Sequence, residues 1–437
     1  MDIILTPTKL KGSIDARPWS VSSHLHSAAQ HLAKAAGASA GPDASAADGR
    51  TAGMRSETAP TPGASLPESL SEDLEATLRC LRALTGGEPM LDCGKSVLTL
   101  TLLYPIAAAL REKVAFVGDP EINWESILPL FDVLRQHGTD HSRGSLKIRR
   151  RNRKRIREIC ILSGRLKYGH FSLTGKEDPW FTAGLLMALP LLEGNSSLRT
   201  TTMPQINEIP IMAVDILHQY GIAVRSTVDD YGYPSYEIAG SQSLHAPENV
   251  RVEGDWGQAA FWLCCGALGG NVTVRGLRAD SPQVSRQILD KLHTMGAGTG
   301  LGEGSANVTA ARLTGCNINA GRIPDLVPIL AVAMASASGA SMLTDMNRPD
   351  LESIQRALIL LGGDVLLEED KLDFRGKPVL TGGEVDPLGN PAAVLTAAGA
   401  SCICAEPVLI RNAGIINKYY PDFFRDFTAL GGRIRVL

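Results

Sequence analysis

Eight lysines and arginines stand within fourteen residues, SLKIRRRNRKRIRE at 145–158. Such a run could hold a phosphate backbone or an acidic protein face. No aromatic side chain stands among them to stack on a base. The stretch therefore reads as a solvated basic ribbon or loop, which argues against a nucleic-acid partner. Thiols are the next candidates for chemistry. The eight cysteines are Cys80, Cys93, Cys160, Cys264, Cys265, Cys316, Cys402 and Cys404. Only Cys264-Cys265 and Cys402-Ile403-Cys404 lie close together, and neither has the spacing of a zinc site. Several sit in apolar stretches, as expected of buried, reduced thiols in a cytoplasmic protein. The alternation of Cys402 and Cys404 predicts one strand face for both. Gly269-Gly270 and Gly382-Gly383 read as turns, because neither pair precedes a helix as a phosphate loop does. No metal or cofactor is expected.

The elements that carry these residues follow from composition and period. The chain has 437 residues, 44% of them hydrophobic and 20% charged. That length suits two or three domains with sizeable cores. A net charge of −3 argues against a general polyanion binder. No apolar run reaches the roughly 18 residues of a membrane span, and residues 1–11 lack the apolar region of a secretory signal. Residues 35–70 are dominated by Ala, Gly, Ser, Pro and Thr. They hold too little apolar surface to offset ordering, and predict a flexible insertion. Elsewhere an Ala/Leu-rich helix leads through glycine or polar residues to a short β-branched strand. Residues 182–192 lead to 197–201, 258–268 to 272–274, 326–337 to 341–343, and 391–398 to 408–410. Amphipathic helices ending in glycine lie between, at 127–138, 211–221, 285–296 and 351–363. The pattern predicts a mixed α/β (α+β) chain that uses one unit about six times.

Six strings in order resemble the EPSP synthase (3-phosphoshikimate 1-carboxyvinyltransferase) family. They are TPTKLKGSI at 6–14, LDCGKSVLTLTLLYPIAAAL at 91–110, FTAGLLMALPLLEG at 181–194, VEGDWGQAAFWLCCGALGGNVTVRGL at 252–277, IPDLVPILAVAMASASG at 323–339 and INKYYPDFF at 416–424. The resemblance implies a two-domain enolpyruvyltransferase-like fold. Each domain would hold three βαβαββ units around buried helices, with a cleft between the domains. It implies one domain from residues 1–20 plus 242–437 and another from 21–241, the latter carrying the insertion 35–70 and the basic segment 145–158. It also implies enolpyruvyl transfer from phosphoenolpyruvate to shikimate 3-phosphate, in the shikimate pathway of aromatic amino acid biosynthesis. Two anions in one site require several Lys and Arg side chains, with Arg meeting phosphate or carboxylate through its planar fork.

Most of those cations are missing here. The family's Pro-Ser-Lys-Ser, with Arg five residues after the Lys, reads Pro18-Trp19-Ser20-Val21, with Leu25 at the arginine. His24 matches a residue common in some branches. In the next motif Ser96 remains, but Val97 replaces a glycine and Thr101 an arginine. An Arg-Pro pair becomes Glu125-Ser126. The Ser-Ser-Gln that grips phosphate becomes Asp178-Pro179-Trp180, and an aspartate there repels phosphate. Lys-Glu is lost around Asn347, and Asp-His-Arg becomes Gly389-Asn390-Pro391. Two positions survive. Asp325 matches the family's proton-transfer aspartate, and Lys418 matches a phosphoenolpyruvate-facing lysine.

Each survivor has a plainer reading. Asp325 before an apolar helix suits a cap, and Lys418 suits a solvated face. His24 and His26 could be ordinary helix histidines. Trp19, Trp124 and Trp180 fall within lost motifs and could fill vacated space or shape a flatter pocket. The sequence leads to a non-catalytic paralogue that binds a protein, either a shikimate-pathway enzyme or an active paralogue. The rivals are an enzyme repurposed for a less anionic substrate, with Asp325 and Lys418 as acid and base, and the standard transferase.

Overall fold

Helices that are apolar on every side must lie inside a domain, and this chain has several. The computed structural model describes residues 1–39, 71–124, 127–144, 149–151, 154–173, 178–200, 208–230, 232–250, 252–345, 348–418 and 420–437. Two units emerge, Met1–Trp19 with Glu253–Leu437 (unit 1) and Ser20–Val252 (unit 2).

Among the described residues, unit 1 has three four-stranded sheets. One runs β19 (Gly383–Val385), β20 (Val408–Ile410), β1 (Ile3–Thr6), β21 (Arg433–Val436). The second runs β13 (Gly298–Gly302), β14 (Ser305–Thr309), β12 (Asn271–Arg275), β2 (Lys11–Asp15). The third runs β15 (Asn317–Asn319), β16 (Ala340–Thr344), β18 (Lys371–Arg375), β17 (Asp364–Glu368). Each has one parallel pair, β19–β20, β2–β12 or β15–β16, and antiparallel pairs otherwise. A parallel pair needs a crossover. The buried α8 (Val327–Ser336) supplies it in the third sheet and α10 (Pro391–Ala400) in the first. The third sheet with α9 (Arg348–Leu360) reads β15-α8-β16-α9-β17-β18, one βαβαββ unit. The buried α6 (Trp256–Ala267) packs with α8 and α10. Gly399 permits the closest approach, because a Cβ there would lie 2.6 Å from Ile329 Cδ1. The outer helices α7 (Ile288–Thr294) and α11 (Phe423–Ala429) lean on this core.

Unit 2 repeats the scheme. Sheet β3 (Met90–Asp92), β4 (Lys113–Gly118), β7 (Lys154–Gly164), β5 (Thr139–Arg143) carries β6 (Arg149–Arg151) on β7. Sheet β10 (Val224–Val228), β11 (Pro234–Ile238), β9 (Ser196–Thr200), β8 (His170–Leu173) is the other. Buried helices α3 (Val97–Leu110) and α4 (Pro179–Ala188) cross between the parallel pairs β3–β4 and β8–β9. A Cβ on Gly184 would lie 2.1 Å from the Leu102 carbonyl oxygen, so only glycine allows this α3–α4 contact. Around them lie α1 (Ser20–Ser39), α2 (Glu72–Thr85) and α5 (Glu208–Gln219).

Three expectations need correction. Residues 35–39 are helical, because alanine extends α1 into the stretch read as insertion; the rest of 35–70 lies outside the described residues. The element at 127–138 is a 3-10 helix, Leu128–His137. Cys402 and Cys404 sit in a turn after α10 and not on one strand, although both are buried. The basic segment, read as a ribbon or loop, forms a paired ribbon where it is described, with Arg149 opposite Ile156, Arg150 opposite Arg155 and Arg151 opposite Lys154. Among the described residues, no helix is long and apolar enough to cross a membrane.

Candidate functional site

In unit 2, His24 and Asp178 each take part in a small cluster of polar side chains. α1 begins at Ser20, which is exposed, and within its first two turns His24 and Leu25 are fully buried. His24 Nδ1 lies 2.9 Å from Thr77 Oγ1. Thr77 Oγ1 lies 2.7 Å from Thr99 Oγ1, which donates to Ser96 Oγ at 2.8 Å. Ser96 in turn caps α3, accepting from the Thr99 amide at 3.1 Å. With the imidazole proton on Nδ1, Thr77 and Thr99 each donate once along this run. The other ring nitrogen, Nε2, is buried and has no hydrogen-bond partner. The indole of Trp180 meets the imidazole edge-on, with ring centroids 5.3 Å apart.

Burial costs the charged imidazole its hydration and lowers the His24 pKa to about 4. Folded His24 is therefore neutral near pH 6, where the unfolded chain already takes up a proton. Stability is full above about pH 6.5 and is lost as pH falls toward 4. Over that window the histidine contributes about 3 kcal/mol of pH dependence. Urea unfolding of unit 2 at pH 7.0, 5.5 and 4.5 should show a clearly shallower pH slope in His24→Gln. An unchanged slope would mean that the imidazole titrates normally in the folded chain.

The second cluster joins α3 to α4. Asp178 caps α4, its Oδ1 accepting from the Trp180 amide at 2.8 Å and the Phe181 amide at 3.4 Å. Thr101 is fully buried, with its hydroxyl in reach of the Val97 and Leu98 carbonyls and of the Asp178 carboxylate. Burial raises the Asp178 pKa, and the cap bonds and Thr101 oppose the shift. Trp124 is buried and donates from Nε1 to the Asp119 carbonyl at 2.8 Å. Trp19, of unit 1, is also buried. Glu125 lies outside the described residues.

In unit 1, Asp325 sits in the short 3-10 turn Pro324–Leu326 that leads into α8. It is not the cap residue of that helix, a position held by Leu326. Its residue surface is open, yet the protein crowding its carboxylate raises the pKa. Asp255 was not singled out in the sequence. It caps α6, accepting from the Gln258 amide at 3.0 Å. Its pKa rises to about 6, chiefly by burial and further by the nearby negative charge of Asp325. Asp-x-x-Gln ahead of an apolar run is a helix-start signature, which would have flagged the residue as a cap but not as a perturbed acid. Pro391 opens α10 behind the Asn390 cap, and Asn390 Nδ2 donates to Asp350 at 3.0 Å. Lys418 ends the 3-10 turn Ala413–Lys418, and its side chain lies outside the described residues, as does Asn347. Next to it Tyr420 is locked, accepting from Trp262 Nε1 at 3.0 Å and donating to Asp426 at 2.5 Å. Arg17 pairs with Asp426 at 3.0 Å and with Asp422 at 3.3 Å.

Among the described residues, no group of three or more His, Cys, Asp or Glu side chains could hold a metal ion. Unit 2 thus brings together hydroxyls, an imidazole and a carboxylate, and unit 1 holds two carboxyls, Asp255 and Asp325, whose pKa values are raised chiefly by burial.

The family model for EPSP synthase (3-phosphoshikimate 1-carboxyvinyltransferase) matches residues 70–427. A 3-phosphoshikimate 1-carboxyvinyltransferase of Clostridium kluyveri is 32% identical over 390 residues, covering 83% of this chain and 88% of the relative. One of Clostridium novyi is 30% identical over 357 residues, covering 80% and 79%. Among solved structures, an EPSP synthase from Acinetobacter baumannii superposes with a TM-score of 0.74 at 18% identity over all of both chains. The enolpyruvyl transferase NikO from Streptomyces tendae gives 0.66 at 16% identity, covering 99% and 98%.

Proposed function

Starting from a chain that belongs to the EPSP synthase (3-phosphoshikimate 1-carboxyvinyltransferase) family, we propose that it no longer performs enolpyruvyl transfer and acts as a non-catalytic paralogue through protein interaction. One observation carries this reading. Leu25 and Thr101, at two positions where the family places arginine, are fully buried, and the carboxylate of Asp178 stands beside Thr101. A dianionic substrate would meet an apolar side chain, a hydroxyl and a negative charge there. The desolvation of its phosphate would go uncompensated.

The segment proposed to contact a partner is the basic stretch 145–158. It holds eight cations and one acid, and without it a chain of 43 basic and 46 acidic residues keeps 35 against 45. Positive charge is thus concentrated in one stretch of an otherwise acidic sequence, which suits an acidic protein face. The partner proposed is an active paralogue of the same fold. A second reading, an enzyme repurposed for a less anionic substrate, is favoured by one fact, the raised pKa of the open Asp325.

Two measurements test the proposal. Calorimetric titration with shikimate 3-phosphate should give no heat at millimolar ligand. Sedimentation with an active EPSP synthase at low salt should give a shared heavier boundary, lost in Arg150→Glu/Arg155→Glu. Heat with a micromolar Kd would remove the first claim, and separate boundaries at low salt would remove the second.

A further inference from the structure

Outside the family's substrate positions, unit 2 has a cavity of about 220 Å³ lined by Leu128, Pro129, Asp132, Arg135, His141 and Arg143. It lies between the 3-10 helix Leu128–His137 and strand β5. Its lining divides by chemistry. Leu128 and Pro129 form an apolar wall. Asp132 supplies a carboxylate that is half exposed. Arg135 Nε lies 3.1 Å from Asp132 Oδ1 and 3.1 Å from Asp140 Oδ1.

His141 is the second observation. Its side chain is only 7% exposed, with Nε2 3.8 Å from Asp132 Oδ1. Its Nδ1 is buried without a hydrogen-bond partner. The rings of Tyr104 and Phe131 meet the imidazole edge-on, with centroids 6.3 and 6.1 Å away. A polar ring held this firmly by aromatic packing is a fixed wall, unlike a mobile surface side chain.

Opposite charges set side by side over an apolar wall define a ligand. A phosphate would be drawn to the arginines but repelled by Asp132 and Asp140. A simple cation would meet the reverse conflict. We propose that this cavity is a binding site for a zwitterionic α-amino acid with an apolar side chain. The ligand carboxylate pairs with the guanidinium of Arg135. The ammonium pairs with Asp132, and the side chain lies on Leu128 and Pro129. The volume admits one such molecule. The site uses none of the residues assigned to the transfer reaction, so it stands whether or not the proposed loss of that reaction is correct.

The test is thermal unfolding and calorimetry of the full chain with alanine, valine, leucine, isoleucine, methionine and phenylalanine at 10 mM, all as L-isomers. At least one should raise the unfolding temperature by 2 °C or more and give saturable heat. Leucinamide and 4-methylpentanoate, each lacking one charge, should bind at least tenfold more weakly than leucine. Asp132→Asn, at an exposed position, should keep the fold by circular dichroism and weaken binding tenfold or more. Silence with all six amino acids overturns the proposal. Binding that is unchanged in Asp132→Asn, or matched by the singly charged analogues, overturns it as well.

Discussion

A bacterial strain that lacks EPSP synthase and carries this chain fails to grow without aromatic amino acids. The expected defect is complete, because several contacts are missing together. A hydrogen bond to a charged group contributes about 1.5–3 kcal/mol. Losing three such contacts costs about 4.5–9 kcal/mol, or roughly 10³–10⁶-fold in affinity. The resemblance finds more than three missing, at Ser20, Leu25, Thr101, Glu125 and Pro391. Asp178 adds repulsion to the deficit. Asp325 and Lys418 cannot compensate, since an acid and one lysine move protons or hold one group but do not neutralise two anions. The growth test needs a positive control, the same plasmid bearing an active family member, and proof that this chain is expressed. Growth at even a tenth of the control rate would show that cations from elsewhere in the chain restore the site, and the non-catalytic reading would fall.

Much of the fold was legible because buried helices leave a strong imprint. The Ala- and Leu-rich runs at 182–192, 258–268 and 391–398 match α4, α6 and α10 closely, since a helix enclosed on all sides has no polar face to disguise it. Amphipathic segments were harder to place. Residues 127–138 have helical spacing, yet the chain winds more tightly there, and the period of apolar residues does not distinguish the two windings. Cys402 and Cys404 alternate like strand residues, but they follow α10 in a turn bridged to Leu380. Two residues of apparent alternation are too few to specify extended backbone. The side-chain pairing around His24 was not legible in the sequence. Nothing in the spacing joins His24 to Thr77, 53 residues on, or Thr77 to Thr99. Such side-chain pairing is created by packing. The raised pKa of Asp255 likewise depends on burial at the start of α6 and then on the Pro324–Leu326 turn bringing Asp325 near.

The difference between losing a charge and filling its place leads to the second large effect. Leu25→Arg, which restores the family residue, should destabilise unit 2 by at least about 3 kcal/mol. Leu25 is 0% exposed, so an arginine there must either strand its guanidinium in apolar surroundings or push α1 outward. Against a total stability of about 5–15 kcal/mol this is a severe loss. The urea midpoint should fall by about 1 M or more. Ser20→Lys restores a family cation at an exposed position and should change stability by no more than about 0.5 kcal/mol. Leu25→Met keeps the volume without the charge and should cost under about 1.5 kcal/mol. Thr101→Arg is the intermediate case, because the Asp178 carboxylate beside it can accept the new cation and offset part of the burial. The ordering, Leu25→Arg far worse than Thr101→Arg and Ser20→Lys near neutral, follows from burial and partnership alone. If Leu25→Arg were as stable as the parent and bound shikimate 3-phosphate, position 25 would still face a ligand site, and the lost cations would be a recent and reversible change in a working scaffold.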